Sequence, residues 1–270
     1  MAGSDPMQGV LISLQSVQLH VCHTAGQAPA IVFIHGGLGN RFNWRWQWEF
    51  WQHRGRQVLV YDLAGHGDSA GYRRYSIGRH RRDLRRLLHH FQIEAPILCC
   101  HSYGVPIGLE WAKRHAISGL IAIAGGSHNL TPWWEIPLVK FLAAGGARLC
   151  QNSQFRQWIE AQMSRHTTER MQRFFTESPL PQVPHPYQAI ASFWGYDGRP
   201  TLHTIDCPTI VMTGENDPTF PPAMGEALAN HLRQSNDRSQ HWVAKTAGHL
   251  VIAEAPDLVN QAIAQMLAWV

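Results

Sequence analysis

The decisive stretch of this sequence is PILCCHSYGVPIGLEWAKR, residues 96–114. The apolar run Pro96–Cys100 predicts a buried strand, and Val105–Arg114 predicts a helix. Between them lies His-Ser-Tyr-Gly, so Ser102 would stand in a sharp turn from strand to helix. A serine in such a turn exposes its hydroxyl group, as an enzymatic nucleophile requires. Taken alone, the motif also fits an ordinary serine at the start of a helix.

The sequence on either side of this stretch alternates between strands and helices. Val10–Leu14 and Val17–Cys22 alternate in polarity and predict an antiparallel strand pair at a sheet edge. Further buried strands are predicted at Ala30–Ile34, Gln57–Tyr61, Gly119–Ala124, Pro208–Met212 and Gln240–Ala244. Buried strands that alternate with helices indicate a parallel sheet covered on both faces. The fold class is therefore α/β, with a mostly parallel eight-stranded sheet flanked by helices.

Helices are predicted at three further places. Ser76 can cap a helix whose apolar residues, from Ile77 to Phe91, lie on one side. Met224–Leu232 and Pro256–Val270 have the composition of two more helices.

A tryptophan-rich stretch at residues 44–51 is ambiguous in its periodicity. Trp44, Trp46 and Trp48 alternate as in a strand, whereas Trp44, Trp48 and Trp51 share one face of a helix. The order of elements favours a helix that packs these rings into the core. Trp44 is also expected to contact a ligand.

One long interval interrupts the alternation. Residues 128–194 contain no predicted buried strand and are rich in Trp, Phe, Arg and Pro. An insertion of this length between two strands is more often a functional lid than an idle loop. We therefore divide the chain into a first part of the core at 7–127, a helical cap at 128–197 and a second part of the core at 198–270.

The composition disfavours several classes of function. A hydrophobic fraction of 44% and a charged fraction of 16% are those of an ordinary globular protein. The net charge of +4 is modest and the basic residues form no uninterrupted tract, so nucleic acid is not an expected partner. The densest basic stretch, residues 73–86, is interpreted as a solvated helix face.

Cysteine and histidine usage gives no sign of a metal site or of disulfides. The five cysteines are scattered and form no CxxC pair (Cys22, Cys99, Cys100, Cys150 and Cys207). The 17 histidines contain no HExxH cluster, so no metal is expected. Reduced thiols, and the lack of a secretory or membrane-spanning apolar run, predict a cytoplasmic protein.

Short motifs follow the predicted strands in a definite order. They are HGGLG at 35–39, DLAGHG at 62–67, CHSYG at 100–104, GENDP at 214–218 and AGH at 247–249. In this order the chain resembles the α/β-hydrolase superfamily over essentially its whole length, most strongly at Ile31–Gly126 and Cys207–Val270. The resemblance is to the branch with a serine nucleophile and a helical cap. Cys100 departs from the usual glycine two residues before the nucleophile, where a small side chain is needed.

The resemblance implies a catalytic triad of Ser102, Asp217 and His249, in the chain order that this fold uses. His249 would take the proton of the Ser102 hydroxyl and later return it to the leaving group. Asp217 would fix the tautomer of His249 and stabilise its charged form. Glu215 is an alternative acid, although the family spacing favours Asp217.

The oxyanion formed during acyl transfer needs backbone N–H donors. By resemblance these donors are Tyr103 and Gly37, and a different register of the Gly-rich loop would make Leu38 the donor instead. The expected substrate pocket combines Leu38 and Trp44 with aromatic residues of the cap. The cap residues of this pocket are Trp133, Trp134, Phe193 and Trp194.

The expected activity is hydrolysis of a carboxylic ester or thioester with an apolar acyl or aryl group, through an acyl-enzyme on Ser102 and without a cofactor. The same triad also serves C–C bond hydrolases, amide hydrolases and perhydrolases, and a non-catalytic ligand-binding protein of this fold is a further alternative. The expected partner is a small-molecule substrate, and the chain is expected to be a monomer or dimer. Cap arginines could dock a carrier protein that presents the substrate (Arg148, Arg156, Arg165, Arg170 and Arg173).

Overall fold

An eight-stranded sheet forms the centre of the molecule, in the strand order β1-β2-β4-β3-β5-β6-β7-β8. The computed structural model describes residues 7–129, 141, 144–145, 148–149, 151–155, 157–158, 168–181 and 183–270. The strands are β1 Val10–Ser13, β2 Gln18–Thr24, β3 Gln27–Ile34, β4 Arg56–Tyr61, β5 Ile97–His101, β6 Gly119–Ile123, β7 Thr209–Gly214 and β8 Gln240–Ala244. Strands β1 and β2 are antiparallel to their neighbours and lie at one edge, while β4, β3 and β5 to β8 run parallel. The predicted α/β class and edge pair are confirmed.

Helices connect the strands and cover both faces. They are α1 Arg45–Gln52, α2 Ile77–His90, α3 Gly104–Ala112, α4 Glu169–Glu177, α5 His185–Ala191, α6 Pro222–Arg233, α7 Val251–Glu254 and α8 Pro256–Trp269, with 3-10 turns at Arg41–Trp44 and Arg199–Thr204. Ser76 is the N-cap residue of α2, as predicted: its side chain accepts a hydrogen bond from the Arg79 N–H. Among the described residues, no helix combines the length and apolar composition needed to cross a membrane.

The sheet separates two apolar layers. On β5, Leu98 and Cys100 point into one layer and Ile97 and Cys99 into the other, as alternation along a strand buried on both faces requires. The predicted helix in the tryptophan-rich stretch is confirmed as α1, and Trp44, Trp48 and Trp51 are all buried in the second layer.

Two features bring the loops that carry the motifs and the two ends of the inserted segment to one end of the sheet. The carboxyl ends of the parallel strands all lie on this side, so the loops that follow the strands meet there. An isolated antiparallel bridge joins His128 to Asp197, the two ends of the predicted cap. Between these ends lie α4 and α5. The division of the chain into core and cap stays a prediction.

Candidate active site

Ser102 stands in a strained turn between β5 and α3. Its φ of 49° lies in the left-handed region, which a residue other than glycine seldom adopts. The Ser102 N–H donates to the carbonyl oxygen of Ile123 (2.8 Å), which ties the turn to the neighbouring strand. A Cβ atom on Gly104 would lie 2.6 Å from the carbonyl oxygen of Ile34, so only glycine fits there. The sequence therefore forces the Ser102 hydroxyl group out of the core.

Ser102, His249 and Asp217 form a continuous hydrogen-bonded chain. His249 Nδ1 lies 2.8 Å from Asp217 Oδ2, and His249 Nε2 lies 2.9 Å from Ser102 Oγ. A carboxylate accepts only, so Nδ1 carries the proton and Nε2 of the neutral ring accepts from the serine hydroxyl. The three residues come from loops after β5, β7 and β8, and the structure brings them together as the sequence predicts.

The Asp217 carboxylate is buried and firmly held. Its Oδ1 accepts hydrogen bonds from the N–H groups of Thr219 (2.8 Å) and Phe220 (3.0 Å). Burial acts to raise the pKa of Asp217, but the hydrogen bond and charge of His249 and these two N–H groups outweigh it and hold the pKa below its ordinary value. Asp217 therefore stays ionised at neutral pH and can stabilise a charged imidazole.

Glu215, the alternative acid, is not part of this chain of hydrogen bonds. It is exposed and accepts hydrogen bonds from Lys245 Nζ (2.8 Å) and the Thr246 N–H (3.0 Å). His249 is paired with Asp217 instead.

The Gly-rich loop is pinned by the buried His35 ring. His35 Nε2 accepts from the Leu63 N–H (2.9 Å), so the proton lies on Nδ1, which donates to the Gly36 carbonyl oxygen (2.7 Å). Burial lowers the pKa of His35 to about 4, and the ring is neutral at physiological pH. Within the described part of the chain, the N–H groups of three residues beside Ser102 donate to no other group (Gly37, Leu38 and Tyr103). Whether Gly37 or Leu38 is the donor of the Gly-rich loop, its N–H group is therefore available to bind an oxyanion together with the Tyr103 N–H.

His101 makes a contact that the sequence did not indicate. Its Nε2–H donates to the backbone carbonyl oxygen of His249 (2.9 Å), a residue 148 positions along the chain. Burial lowers the pKa of His101 to about 3, so the ring stays neutral and keeps one fixed donor. A Cβ atom on Gly36 would lie 2.9 Å from His101 Nδ1. The His101 ring, which precedes Ser102, therefore lies against both the loop that carries His249 and the Gly-rich loop.

A cavity of about 460 Å³ opens beside Ser102 and His249. Three predicted pocket residues line it, namely Leu38, Phe193 and Trp194. Sequence reasoning missed several further residues of the wall, among them the apolar residues Ile190, Phe220 and Met224 and the polar residues His128, Asn129 and Thr219. Trp133 and Trp134 lie outside the described residues.

The expectation that Trp44 contacts a ligand is wrong. Its side chain is fully buried in the core, where the ring stacks on Phe33 with centroids 4.8 Å apart. Its position at the start of α1 points it toward the sheet, and it is not part of the cavity wall.

The crowding predicted around Cys100 is confirmed. A Cβ atom on Gly108 would lie 2.5 Å from Cys100 Sγ, so the thiol fills the space between β5 and α3. Burial raises the pKa of this thiol, which therefore stays protonated.

One group of described residues has the spacing of metal ligands. The ligand atoms of His20, Asp62 and Asp68 lie within 4.8 Å of one another. Arg41 Nη1 lies 2.6 Å from Asp62 Oδ2 and 2.8 Å from Asp68 Oδ2, so a guanidinium group balances both carboxylates. Asp62 also accepts from the N–H groups of Arg41 and Asp68, as an aspartate that stabilises a turn does.

The sheet order and the serine turn define the architecture as the α/β-hydrolase fold. A profile of the alpha/beta hydrolase family matches residues 31–262, and the chain belongs to this family.

Individual relatives are distant. The chain is 25% identical to 3-oxoadipate enol-lactonase 2 of Acinetobacter baylyi, an alignment that covers 93% of this chain and 94% of that protein. It is 28% identical to the dihydrolipoyllysine-residue acetyltransferase component of the acetoin cleaving system of Pseudomonas putida, with 88% of this chain covered. The chain spans 62% of the length of that component and 57% of Protein ABHD8 of Mus musculus.

Solved structures share the fold over almost the whole chain. A thermophilic esterase from Thermogutta terrifontis superposes with a TM-score of 0.80 at 24% identity, covering 97% of this chain and 98% of the esterase. The enol-lactonase from Burkholderia xenovorans LB400 gives 0.78 at 21% identity, covering 96% and 100%. These likenesses establish the fold.

Proposed function

We propose that this protein is a serine hydrolase that cleaves a carboxylic ester or thioester with an apolar acyl or aryl group. The observation that carries the proposal is the chain of two hydrogen bonds from Asp217 through His249 to Ser102 Oγ. A serine hydroxyl is a weak nucleophile unless a base removes its proton, and this arrangement supplies that base. The names of an esterase and two enol-lactonases among the relatives support hydrolysis as the reaction.

The geometry supports acyl transfer in two steps. Ser102 Oγ attacks the substrate carbonyl carbon while His249 Nε2 takes its proton, and the developing oxyanion accepts from Tyr103 N–H and Gly37 or Leu38 N–H. The proton then passes from His249 to the departing alcohol or thiol, which leaves an acyl group on Ser102. Water attacks this acyl-enzyme with His249 again as the base and releases the acid.

The cavity wall supports a neutral, apolar acyl group. Among the described residues that line it there is no Lys, Arg, Asp or Glu. A carboxylate placed in such a wall would lose its hydration without gaining a charged partner, which is costly. Each buried CH₂ group of a substrate is worth about 0.8 kcal/mol, so longer acyl chains should react faster until the cavity is full.

A series of p-nitrophenyl esters tests this specificity. We expect kcat/KM for the hexanoate to exceed that for the acetate by up to about 200-fold, because four more methylene groups, worth about 0.8 kcal/mol each, can be buried. The adipate monoester is the matched control, since it has the same number of acyl carbons and carries a carboxylate in place of the terminal methyl group. It should react at least about tenfold more slowly than the hexanoate. A preference for acetate or for the adipate monoester would contradict the apolar acyl site.

His101 is expected to act as a positioning residue for His249. His101→Phe keeps a ring but removes the donor to the His249 carbonyl, and it should lower kcat about 10- to 100-fold with little change in KM. His101→Gln restores an N–H group at a similar reach and should recover most of this loss. Steady-state kinetics on the preferred ester, with the melting temperature of each variant, provide the measurement.

The matched control for His101 is His115→Phe. His115 Nδ1–H also donates to a backbone carbonyl, that of Trp111 (3.2 Å), but it follows the far end of α3 from Ser102. This variant should keep the activity of the parent. Equal kcat in His101→Phe and wild type, or a His101→Gln variant as impaired as His101→Phe, would show that the hydrogen bond does not position His249.

A further inference from the structure

The basic stretch at residues 73–86 lacks the acidic partners that a solvated helix face commonly has. It contains seven arginines and no lysine (Arg73, Arg74, Arg79, Arg81, Arg82, Arg85 and Arg86). Across the described part of the chain, Arg86 alone of these seven lies within 4 Å of a carboxylate, at 3.7 Å from Asp83 Oδ1. Like charges four residues apart on a helix are destabilising, and Arg81–Arg85 and Arg82–Arg86 are two such pairs. Helix α2 therefore carries more positive charge than its one nearby carboxylate balances.

Three of these arginines surround a concave site. A cavity of about 210 Å³ is lined by Arg79, Arg82 and Arg86 together with Ser16, Tyr72 and Asp83. The three arginines fall on one face of α2 because they are spaced by three and four residues. The volume lies below the roughly 300 Å³ at which pockets for organic ligands begin, so the site is sized for a small group.

Neutral acceptors hold two of the guanidinium groups in place. Arg86 Nη1 donates to Ser16 Oγ (2.6 Å) and its Nη2 to Gln15 Oε1 (3.2 Å). Arg79 Nη1 donates to the carbonyl oxygen of Arg74 (3.0 Å). These contacts order the side chains, and a neutral acceptor adds no negative charge to balance the guanidinium groups. A site with donors already in place loses less conformational entropy when it binds an anion.

The lining has a net positive charge. Asp83 is its one acid, and this buried carboxylate accepts a hydrogen bond from the Tyr72 hydroxyl group (2.6 Å). Three guanidinium groups and one carboxylate give a formal charge of +2. An adjoining concavity lined by Arg73, Arg74 and Arg79 adds two more positive groups.

We propose that the cavity of Arg79, Arg82 and Arg86 binds a phosphate group, carried by a small anion in solution. A phosphate dianion matches the charge of the lining, and its tetrahedral oxygens can accept from several guanidinium forks at once. This site is separate from the Ser102 cavity and does not depend on the proposed hydrolysis. No lining residue is shared between the two cavities among the described residues.

Thermal unfolding with inorganic phosphate tests the site. At a phosphate concentration ten times the Kd, we expect the melting temperature to rise by about 3 °C above that in sodium chloride of equal ionic strength. Arg82→Gln should remove most of this rise. Arg82→Lys keeps the charge but loses the planar guanidinium group, so the rise in its melting temperature should lie between those of wild type and Arg82→Gln.

The matched control is Arg238→Gln, which removes one positive charge near β8 at the opposite edge of the sheet. This variant should respond to phosphate as wild type does. The proposal is overturned if phosphate and chloride give the same melting temperature, or if Arg82→Gln keeps the full rise. Binding to phosphatidic acid vesicles without any response to inorganic phosphate would also overturn it, because the arginines would then form a membrane-contact surface.

Discussion

Ser102→Ala is expected to lower kcat by about 10⁶-fold on the preferred ester, the size of loss seen when the nucleophile of another serine triad is removed. The reason is that, among the described residues, Ser102 alone offers a hydroxyl group to His249 Nε2. The variant should still fold, because the Ser102 side chain is only partly buried and its backbone N–H bond to Ile123 is kept. Steady-state kinetics with an unchanged melting temperature would establish both points.

The companion experiment tests whether the residues act as one unit. His249→Ala alone should cost about as much as Ser102→Ala, since the proton acceptor is gone. The double variant Ser102→Ala/His249→Ala should be little worse than either single variant. Losses that multiply in the double variant would mean that the two residues contribute separately, contrary to the geometry.

Asp217→Asn is expected to lower kcat by about 10⁴-fold, by analogy with the same change in a protease triad. Asparagine keeps the shape of the side chain but presents an amide that can donate to His249, so the wrong tautomer is favoured and Nε2 no longer accepts the serine proton. The negative charge that stabilises the imidazolium is also lost. The measurement is kcat at neutral pH, with circular dichroism to show that the fold is retained.

Glu215→Gln is the matched control for Asp217→Asn. It removes a carboxylate two residues away that pairs with Lys245 and Thr246 on the surface. Its effect on kcat should be less than about twofold, because an exposed pair of this kind contributes little to stability. A severe loss of activity in Glu215→Gln together with an active Asp217→Asn variant would show that Glu215, and not Asp217, is the catalytic acid.

Much of the fold could be predicted because its signals are local. The apolar runs of β3 to β7 are continuous, as strands buried on both faces require. Ser76 marks the start of α2 because its side chain accepts a hydrogen bond from the N–H group three residues further along the chain. Ser102, Asp217 and His249 were predictable from the resemblance to the α/β-hydrolase superfamily, because the motifs that carry it are also short and local. Each lies in a short loop directly after a strand, and parallel strands bring such loops to one edge.

The remaining features depend on contacts between distant parts of the chain. The bond from His101 to the His249 carbonyl and the inclusion of Ile190, Phe220 and Met224 in the cavity wall result from packing, which residue periodicity does not specify. Trp44 was misassigned in part because an aromatic residue near a Gly-rich loop fits a pocket and a core equally well. Only its burial against Phe33 decides between them.

The most direct test of the central claim is covalent labelling with a fluorophosphonate probe, followed by mass spectrometry of the labelled peptide. Such reagents react readily only with a serine activated by a base, so the probe reports on the hydrogen bond between Ser102 and His249. We predict stoichiometric labelling of wild-type protein at Ser102 and none of Ser102→Ala. Wild-type protein that resists the probe where a known serine esterase labels fully would contradict the account and favour a ligand-binding protein without turnover.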